Sequence, residues 1–353
     1  MKMAPLLQAL EAHPRVHPVL IHTGQHYDDN LSDVFFQQLD MRRPDICLEV
    51  GSGKHGQQTA RVIERFEAVL EQAARSGRRF DRVVVVGDIN STMAAAIAAV
   101  KLNVPVAHVE AGLRSFDRSM PEEINRMLTD AVADLLFVSE PSGMANLRKE
   151  GHPESHLHLV GNVMIDTLRR LLPRARKTDV LARNGLRPGE FGVVTLHRPS
   201  NVDQQETLAP ILDVLVETSH RLPLVFPIHP RTLRSIERFG LADHLGRASR
   251  ILRLPPLGYL DFLALTSQAR VIVTDSGGLQ EESTVLGIPC LTMRPNTERP
   301  ITVVEGSSTL VGSDAAALRA CLRAVLAGSY KQGRCPTLWD GHAAERIAKV
   351  LAA

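Results

Sequence analysis

The sequence has little that would suit a membrane, a nucleic acid or an oxidising compartment. It lacks an apolar run long enough to span a bilayer, and its start lacks the pattern of a secretory signal. A formal net charge of +2 is too small for a nucleic-acid-binding surface. The few cysteines are scattered without paired spacing, which favours reduced thiols over disulfides or a zinc site. We therefore expect a cytoplasmic protein that binds, at most, a small polyanion.

Length and composition indicate a globular protein with two domains. Hydrophobic residues make up 44% of the chain and charged residues 23%, which is ordinary for a protein with substantial cores. At 353 residues the chain exceeds what one compact α/β domain usually needs. We expect two domains that share a cleft.

Short β-branched runs alternate with helical stretches, which is typical of repeated βα units. The run Val83–Val86 has no polar alternation, as expected for a parallel strand covered by helices on both faces. Ser91 or Thr92 is predicted to cap the alanine-rich helix that follows it. A second series of βα units begins near Gly192, and the segment from Arg169 to Glu190, rich in Arg, Pro and Gly, is interpreted as the linker.

The stretch TDSGGLQEESTVLG, from Thr274, predicts an anion-binding turn. An apolar strand ends at Asp275, two glycines open a turn, and a helix follows with Glu281 and Glu282 predicted in its first turn. Glycines let a phosphate approach the backbone and the amides of a helix start attract anions, although many such turns serve packing alone. A carboxylate at this place can accept hydrogen bonds from ribose hydroxyls, and we assign that role to Glu282.

Basic side chains elsewhere in the second half could face the same anion. Arg299, in the run NTERP, carries a planar fork of donors suited to phosphate, and a solvated loop arginine is the alternative. His197 and His229 each end a predicted strand beside an arginine. Because a lone histidine more often has a structural role, a structural and an anion-facing role both stay open for each.

Two acids in the first half follow predicted strands. Asp88 and Glu110 stand at strand carboxyl ends, where open α/β sheets bind ligands, so both are candidates for a site. A helix introduced by Pro121 adds Glu122 and Glu123 near its start. For Glu123 we favour a simple stabilisation of the helix dipole.

A series of motifs runs in order over nearly the whole chain. They are TGQHYDDN from residue 23, GSGKHGQQT from 51, HVEAGLRSFDRSMPEEINR from 108, VGN from 160, IHPRT from 228, TDSGGLQEES from 274 and NTERP from 296. Together they resemble the non-hydrolysing UDP-N-acetylglucosamine 2-epimerases. The resemblance implies a glycosyltransferase-B-like α/β fold: two Rossmann-like doubly wound domains, at 1–168 and 190–335, facing a cleft. It also implies that the helix at 340–353 packs back on the first domain.

The resemblance further implies roles for residues at matching motif positions. The residues implied to bind UDP are Ser276, Gly277, Gly278, Glu282 and Arg299, with Lys2 near the nucleotide. Those implied around the reacting sugar carbon are Asp88, Glu110 and Glu122 as carboxylates, Arg126 beside them, and His197 near the sugar and diphosphate. Those implied in a second, activating UDP-N-acetylglucosamine site are Gln25, His26 and Gln58.

The activity implied is the reversible epimerisation of UDP-N-acetylglucosamine to UDP-N-acetylmannosamine at carbon 2, by elimination and re-addition of UDP. This isomerase reaction requires no metal and no nicotinamide cofactor, and in this family it serves cell-surface polysaccharide biosynthesis in a homodimeric enzyme. The alternatives are a 2-epimerase of a related UDP-diacetamido-uronic acid sugar, a glycosyltransferase of the same fold, and a catalytically silent UDP-sugar-binding protein.

The chain departs from the family pattern at a few positions. Family members have a strand and a glycine, threonine, arginine, proline, glutamate loop before the lysine that matches Lys2. That strand is central in a doubly wound domain, so we expect its absence to leave strand edges unpaired, and an upstream extension to raise stability and activity. Ile89 stands where threonine is usual, and Pro199 and Ser200 stand where a glutamate usually precedes Asn201.

Overall fold

The computed structural model of the protein describes residues 1–24, 36, 38–246 and 248–353. Over these residues the chain forms two compact units. The first consists of Met1–Thr167 and Thr337–Ala353, and the second of Leu168–Pro336. None of the helices in the described ranges is long and apolar enough to cross a membrane.

The helices and strands alternate along the chain as βα units. From the start they are α1 (Met3–Glu11), β1 (Ile21–His22), β2 (Ile46–Cys47), α2 (His55–Arg75), β3 (Val83–Val86), α3 (Asn90–Lys101), β4 (Val106–Ala111), α4 (Pro121–Val132), β5 (Leu135–Val138), α5 (Pro141–Lys149), a 3-10 turn (Glu154–His156), β6 (Leu157–Leu159) and α6 (Val163–Ala175).

The second unit then contributes α7 (Val180–Arg183), β7 (Gly192–Thr195), α8 (Pro199–Val202), α9 (Gln205–Ser219), β8 (Leu224–Pro227), α10 (Pro230–Arg238), α11 (Ala242–Gly246), β9 (Ile251–Leu254), α12 (Tyr259–Thr266), β10 (Val271–Thr274), α13 (Gly277–Leu286), β11 (Cys290–Thr292), α14 (Ile301–Val304), β12 (Ser308–Leu310) and α15 (Ala315–Ala327). The chain ends in the first unit with α16 (Ala343–Leu351). The segment interpreted as the linker contains the second half of α6 and all of α7.

The first unit contains a four-stranded sheet in the order β3-β4-β5-β6 and a separate β1-β2 pair, both parallel. Within the described ranges, β3 pairs with β4 alone and β1 with β2 alone. Every residue of β4 is buried, because α3 packs its small alanines against the sheet. A fully buried strand gives the residues at its carboxyl end a rigid base.

The prediction that Ser91 or Thr92 caps the alanine-rich helix is wrong. α3 begins at Asn90, and the residue before it, Ile89, makes no side-chain cap. The two hydroxyls instead make tertiary contacts: Ser91 Oγ donates to Thr23 Oγ1 at 3.1 Å, and Thr92 Oγ1 donates to Val86 O at 2.9 Å. Both contacts fasten the helix start to neighbouring chain segments.

The second unit contains one parallel six-stranded sheet in the order β12-β11-β10-β7-β8-β9. The direction of winding reverses between β10 and β7, which are paired from Val271 with Gly192 to Thr274 with Thr195. In doubly wound sheets, ligands bind outside the carboxyl ends at such a reversal. The residues that follow β7 and β10 therefore lie where a binding site is expected.

The last helix is fastened to the first unit by a buried carboxylate. Asp166 accepts hydrogen bonds from the amides of Ala343 at 3.2 Å and Ala344 at 2.7 Å, which begin α16 and lack partners in their own helix. Just before the helix, Trp339 is buried and its Nε1 donates to Ser139 O at 2.9 Å.

We predict that Asp166→Ala loosens α16, because two helix-start amides lose their acceptor, at a cost of about 1 kcal/mol. The measurement is amide hydrogen exchange, which should become faster in Ala343–Leu351. The matched control is Asp314→Ala, which removes an equivalent cap from α15 in the second unit. Equal exchange of α16 in the wild type and in Asp166→Ala would contradict the prediction.

Candidate active site

Asp88 follows β3 directly and is held in place by α4. Gly87, between the strand and Asp88, has a φ of +74°, so the chain turns there in a conformation that favours glycine. Arg126 Nη2 donates to Asp88 Oδ2 at 2.7 Å, and Asn125 Nδ2 donates to the backbone oxygen of Asp88 at 2.9 Å. Both the carboxylate and the backbone of Asp88 are therefore oriented by two adjacent residues of one helix.

Glu110 lies in a bulge of β4 and has a strained backbone. The register of β4 with β5 shifts between Val109 and Ala111, and Glu110 between them has a φ of +73°. A non-glycine residue in that region costs about 1–3 kcal/mol, and such strain clusters at functional sites. The buried carboxylate of Glu110 forms an ion pair with Lys2, whose Nζ also lies next to Gly87. The strain turns an acid of a buried strand towards the end of β3.

Glu123 fastens the loop after β4, so its interpretation as a helix-dipole residue alone is wrong. Its carboxylate accepts hydrogen bonds from Ser115 N, Ser115 Oγ and Phe116 N, each at 2.9 Å. It also accepts one from Arg126 Nη1 at 2.9 Å. Glu123 thereby connects the loop to the arginine that holds Asp88. Glu122, the preceding residue, is half-buried.

A chain of amides connects Gln58 to the Asp88 region. Asn90 Nδ2 donates to Gln58 Oε1 at 3.2 Å, and Asn125 Nδ2 donates to Asn90 Oδ1 at 3.1 Å. Asn125 is the residue that also holds the backbone oxygen of Asp88. Gln25 and His26, predicted with Gln58, lie outside the described residues.

In the second unit, α13 begins two residues after Asp275. Gly277 and Gly278 are its first two residues, and Ser276 precedes them, so the amides of all three belong to the helix start. The prediction that Glu281 and Glu282 lie in the first turn is wrong, because the glycines themselves form that turn. Glu281 and Glu282 lie instead in the second turn and are buried.

Arg299 is buried across the start of α13. Its Nε donates to Glu281 Oε1 at 2.6 Å, and its Nη1 pairs with Glu298. A Cβ atom at Gly277 would lie 2.9 Å from Arg299 Nη1, so any other residue there would require the guanidinium to shift. Burial raises the pKa of Glu298, but Arg299 and Arg294 together lower it by more, so the pKa lies well below its usual range. The alternative of a solvated loop arginine is therefore wrong.

Glu282 is buried with one neutral partner. Its Oε1 accepts a hydrogen bond from the Tyr259 hydroxyl at 2.8 Å. Burial raises the pKa of Glu282 to about 7, with a smaller contribution from nearby Glu281, while the tyrosine hydrogen bond lowers it. This carboxyl therefore takes up a proton at a pH where an exposed glutamate is ionised.

His197, after β7, is oriented by Asp275, after β10. His197 Nδ1 lies 2.8 Å from Asp275 Oδ1, while Asp275 Oδ2 accepts from the amides of His197 and Arg198 at 2.9 and 2.8 Å. Burial raises the pKa of Asp275, but the contacts with His197 and these amides together lower it by more, so the pKa lies below its ordinary value. His197 Nε2 is then the ring nitrogen left for a ligand. The His229 ring lies 5.5 Å away, centroid to centroid.

Sequence reasoning does not single out Asp275 as a site residue, although it marks the strand end there. The signal is an acid at the end of an apolar strand, one residue before two glycines. Its partner His197 is 78 residues away in the sequence, so only the pairing of β7 with β10 reveals the contact.

Polar side chains gathered at the carboxyl ends of parallel strands, in two units built from βα repeats, define an enzyme of the glycosyltransferase-B-like α/β class. The sequence matches the family of UDP-N-acetylglucosamine 2-epimerases over residues 8–352. The chain belongs to this family. Epimerases are isomerases, so the fold class, the family and the enzyme class predicted from the motifs are confirmed.

Curated relatives carry two related names. UDP-N-acetylglucosamine 2-epimerase of Methanocaldococcus jannaschii is 40% identical, and the match covers 99% of this chain and 95% of the relative. UDP-2,3-diacetamido-2,3-dideoxy-D-glucuronate 2-epimerase of Pseudomonas aeruginosa is 38% identical, over 99% of this chain and 96% of the relative.

Solved structures agree with the fold. The M. jannaschii UDP-GlcNAc 2-epimerase, in complex with UDP-GlcNAc and UDP, matches with a TM-score of 0.87 and 40% identity, over 99% of this chain and 95% of that one. The Neisseria meningitidis enzyme bound to UDP-GlcNAc also has a TM-score of 0.87, at 27% identity, over the same shares of both chains.

The raised pKa of Glu282 predicts a pH-dependent stability. Its pKa is about 7 in the folded chain and 4.5 ordinarily, so the folded state binds the proton more tightly and loses stability as the pH rises through this window. Glu282→Gln removes the buried anion. We expect this change to raise the unfolding temperature of the second unit more above pH 7 than below pH 4.5.

The control for this prediction is Glu217→Gln. Glu217 is a surface residue whose pKa is lowered by hydrogen bonds from Arg319 and Arg323, so its loss should give no gain at high pH. A Glu282→Gln effect that is the same at both pH values would show that the carboxyl does not change charge in this window.

Proposed function

We propose that the protein interconverts UDP-N-acetylglucosamine and UDP-N-acetylmannosamine by epimerising carbon 2 through elimination and re-addition of UDP. Membership of the family and the names of the relatives support this activity. The observation that carries it is the strained Glu110, whose carboxylate pairs with Lys2 beside the turn that leads to Asp88.

The chemistry of the sugar favours departure of UDP as the first step. The proton on carbon 2 has no adjacent carbonyl to acidify it, so its direct removal would be very slow. When UDP leaves first, carbon 1 becomes cation-like and the neighbouring proton is readily lost, which gives a glycal. Re-addition of UDP with protonation of the opposite face then gives the epimer. The enzyme must therefore stabilise a leaving diphosphate and move protons at carbon 2.

The second unit supplies groups suited to the leaving nucleotide. The amides of Gly277 and Gly278 form the positive end of α13, and the imidazolium form of His197, oriented by Asp275, adds a donor at Nε2. Preorganised donors of this kind are worth about 3 kcal/mol each in a transition state. Glu282 would accept from a ribose hydroxyl. The two carboxylates around Arg299 compensate its charge, so its main contribution is to hold the site rigid.

The first unit supplies the acid–base groups. We assign the two proton transfers at carbon 2 to Asp88, Glu110 and Glu122, by general acid–base catalysis worth roughly 10²–10⁴-fold. Arg126 keeps the Asp88 carboxylate in one orientation, and Lys2 does the same for Glu110.

A second candidate substrate is the UDP-diacetamido-uronic acid sugar. The P. aeruginosa relative with this named activity is nearly as similar to the chain as the UDP-N-acetylglucosamine epimerases are. Both reactions invert carbon 2, so the same carboxylates would serve. We also propose that the enzyme works in the cytoplasm as a homodimer, supplies sugars for cell-surface polysaccharides, and is activated by substrate at Gln25, His26 and Gln58; the motif resemblance supports each of these points.

Glu110→Gln and Asp88→Asn should each lower turnover by roughly 10²–10⁴-fold while UDP affinity is kept, because these side chains act on the sugar carbon. The measurements are steady-state kinetics and UDP binding by calorimetry. The contrasting variants are Arg299→Ala and Glu282→Ala, which should weaken UDP binding by about 1–3 kcal/mol each. Loss of UDP affinity in Glu110→Gln and Asp88→Asn would remove both residues from the proposed role.

In deuterated water the product should gain deuterium at carbon 2, because the original proton is removed when the glycal forms and a deuteron is added when UDP returns. Free UDP and glycal should accumulate in long incubations, because both are intermediates that can dissociate. Nuclear magnetic resonance and mass spectrometry measure both, with UDP-N-acetylglucosamine and the diacetamido-uronic acid sugar supplied in parallel. The faster substrate identifies the activity. Retention of the original proton at carbon 2 in the epimer would exclude elimination.

A further inference from the structure

The face of α4 that carries Arg126 also carries a buried acid that the proposed mechanism leaves without a role. Asp130 lies one helical turn after Arg126, so both side chains project from the same side of the helix. Its carboxylate contacts His108, which lies on β4 two residues before Glu110. Both side chains are fully buried. Buried ionisable groups are costly unless they are paired, so this pair calls for a physical explanation.

His108 connects α4 to the turn before Asp88. His108 Nδ1 lies 2.6 Å from Asp130 Oδ1, and His108 Nε2 lies 2.8 Å from the backbone oxygen of Gly87. A carbonyl oxygen only accepts hydrogen bonds, so His108 Nε2 donates to Gly87 O, while Nδ1 contacts the Asp130 carboxylate. The ring therefore fixes the backbone of Gly87, the residue whose positive φ turns the chain into Asp88.

The second oxygen of Asp130 holds the turn after Glu110. Asp130 Oδ2 accepts a hydrogen bond from Gly112 N at 3.1 Å and lies 2.7 Å from Arg114 Nη1. Gly112 has a φ of +78°, and a Cβ atom there would lie 2.5 Å from the backbone oxygen of Gly143. One carboxylate thus reaches both strand-end turns, through His108 to Gly87 and directly to Gly112.

We propose that Asp130 and His108 are positioning residues that set the separation and orientation of Asp88 and Glu110. The inference rests on the proposed function, in which those two carboxylates move the protons at carbon 2. Asp130 and His108 do not contact the substrate. They form a clamp that holds the backbone of Gly87 and Gly112, the residues next to Asp88 and near Glu110. A displacement of about 1 Å at reacting groups can cost roughly 100-fold in rate, so loss of this clamp should reduce turnover strongly.

The test compares Asp130→Asn, His108→Gln and His108→Asn with the wild type. Asp130→Asn should lower kcat by roughly 100-fold and leave KM and UDP affinity unchanged, because the second unit binds the nucleotide. His108→Gln should keep more turnover than His108→Asn, because the longer amide can reach Gly87 O where Nε2 was. The shorter amide of asparagine can reach only Asp130. A residue needed for stability alone would lower the amount of folded protein and leave kcat per folded molecule unchanged.

The matched control is Asp134→Asn. Asp134 also holds β4 by its backbone, but at the opposite end of the strand, where its Oδ2 accepts from Val106 N at 2.7 Å. This variant should keep the wild-type kcat. If Asp130→Asn does not fold, the order of the two His108 variants decides, and equal turnover of the two would overturn the proposal. Wild-type kcat in folded Asp130→Asn would overturn it as well.

Amide hydrogen exchange separates failure of this inference from failure of the proposed function. Exchange at Gly87 and at Gly112 should be faster in Asp130→Asn than in Asp134→Asn when both are measured well below their unfolding temperatures. That result supports the clamp even if the wild type converts neither sugar, which would reject the proposed function alone. Unchanged exchange at both glycines rejects the clamp, whatever the activity of the wild type.

Discussion

The left-handed backbone of Glu110 is the constraint on which the first unit's candidate site depends. An L-residue in this conformation is stabilised only by its surroundings, since it costs about 1–3 kcal/mol by itself. The surroundings here are a fully buried strand, β4, and an ion pair with Lys2. Parallel strands covered on both faces are among the most rigid elements of a protein. The bulge in this rigid strand therefore fixes the direction of the Glu110 carboxylate.

The two units hold their charged groups by different physical means. In the first unit the carboxylates of Asp88 and Glu110 each pair with a cation, and the pairs are partly open to solvent on one side. In the second unit, Arg299 is enclosed by glutamates, whereas among the described residues the buried carboxylate of Glu282 accepts a hydrogen bond from one neutral group, the tyrosine hydroxyl. Burial with a neutral partner brings the pKa of Glu282 close to neutrality. The first arrangement suits proton transfer and the second suits recognition of hydroxyl groups.

Local patterns predicted the strands well, because a short continuous apolar run is best buried as a strand of a sheet covered on both faces. The apolar run Val83–Val86 forms a strand as predicted, and the apolar strand predicted to end at Asp275 is β10, which ends one residue earlier, at Thr274. Errors arose where a residue's partner is distant in the sequence. Ser91 is of a residue type that often caps helices, but its hydroxyl donates to Thr23. Asp130 contacts Gly112 and His108 only because β4 and α4 pack together in the fold. Motif resemblance named the candidate carboxylates and their partners Lys2 and Arg126, whereas the proposed positioning residues Asp130 and His108 required coordinates.

The choice between the two candidate sugars turns on charge rather than on the chemistry at carbon 2. A uronic acid sugar carries a carboxylate that must find a cation. Lys2 and Arg126 are already committed, the first to Glu110 and the second to Asp88 and Glu123.

A uronate would have to draw on a cation outside this set, such as the exposed Arg118 in the loop that Glu123 fastens to α4. N-acetylglucosamine makes no such demand, because its substituents are neutral. The charge balance of the first unit therefore favours the neutral sugar.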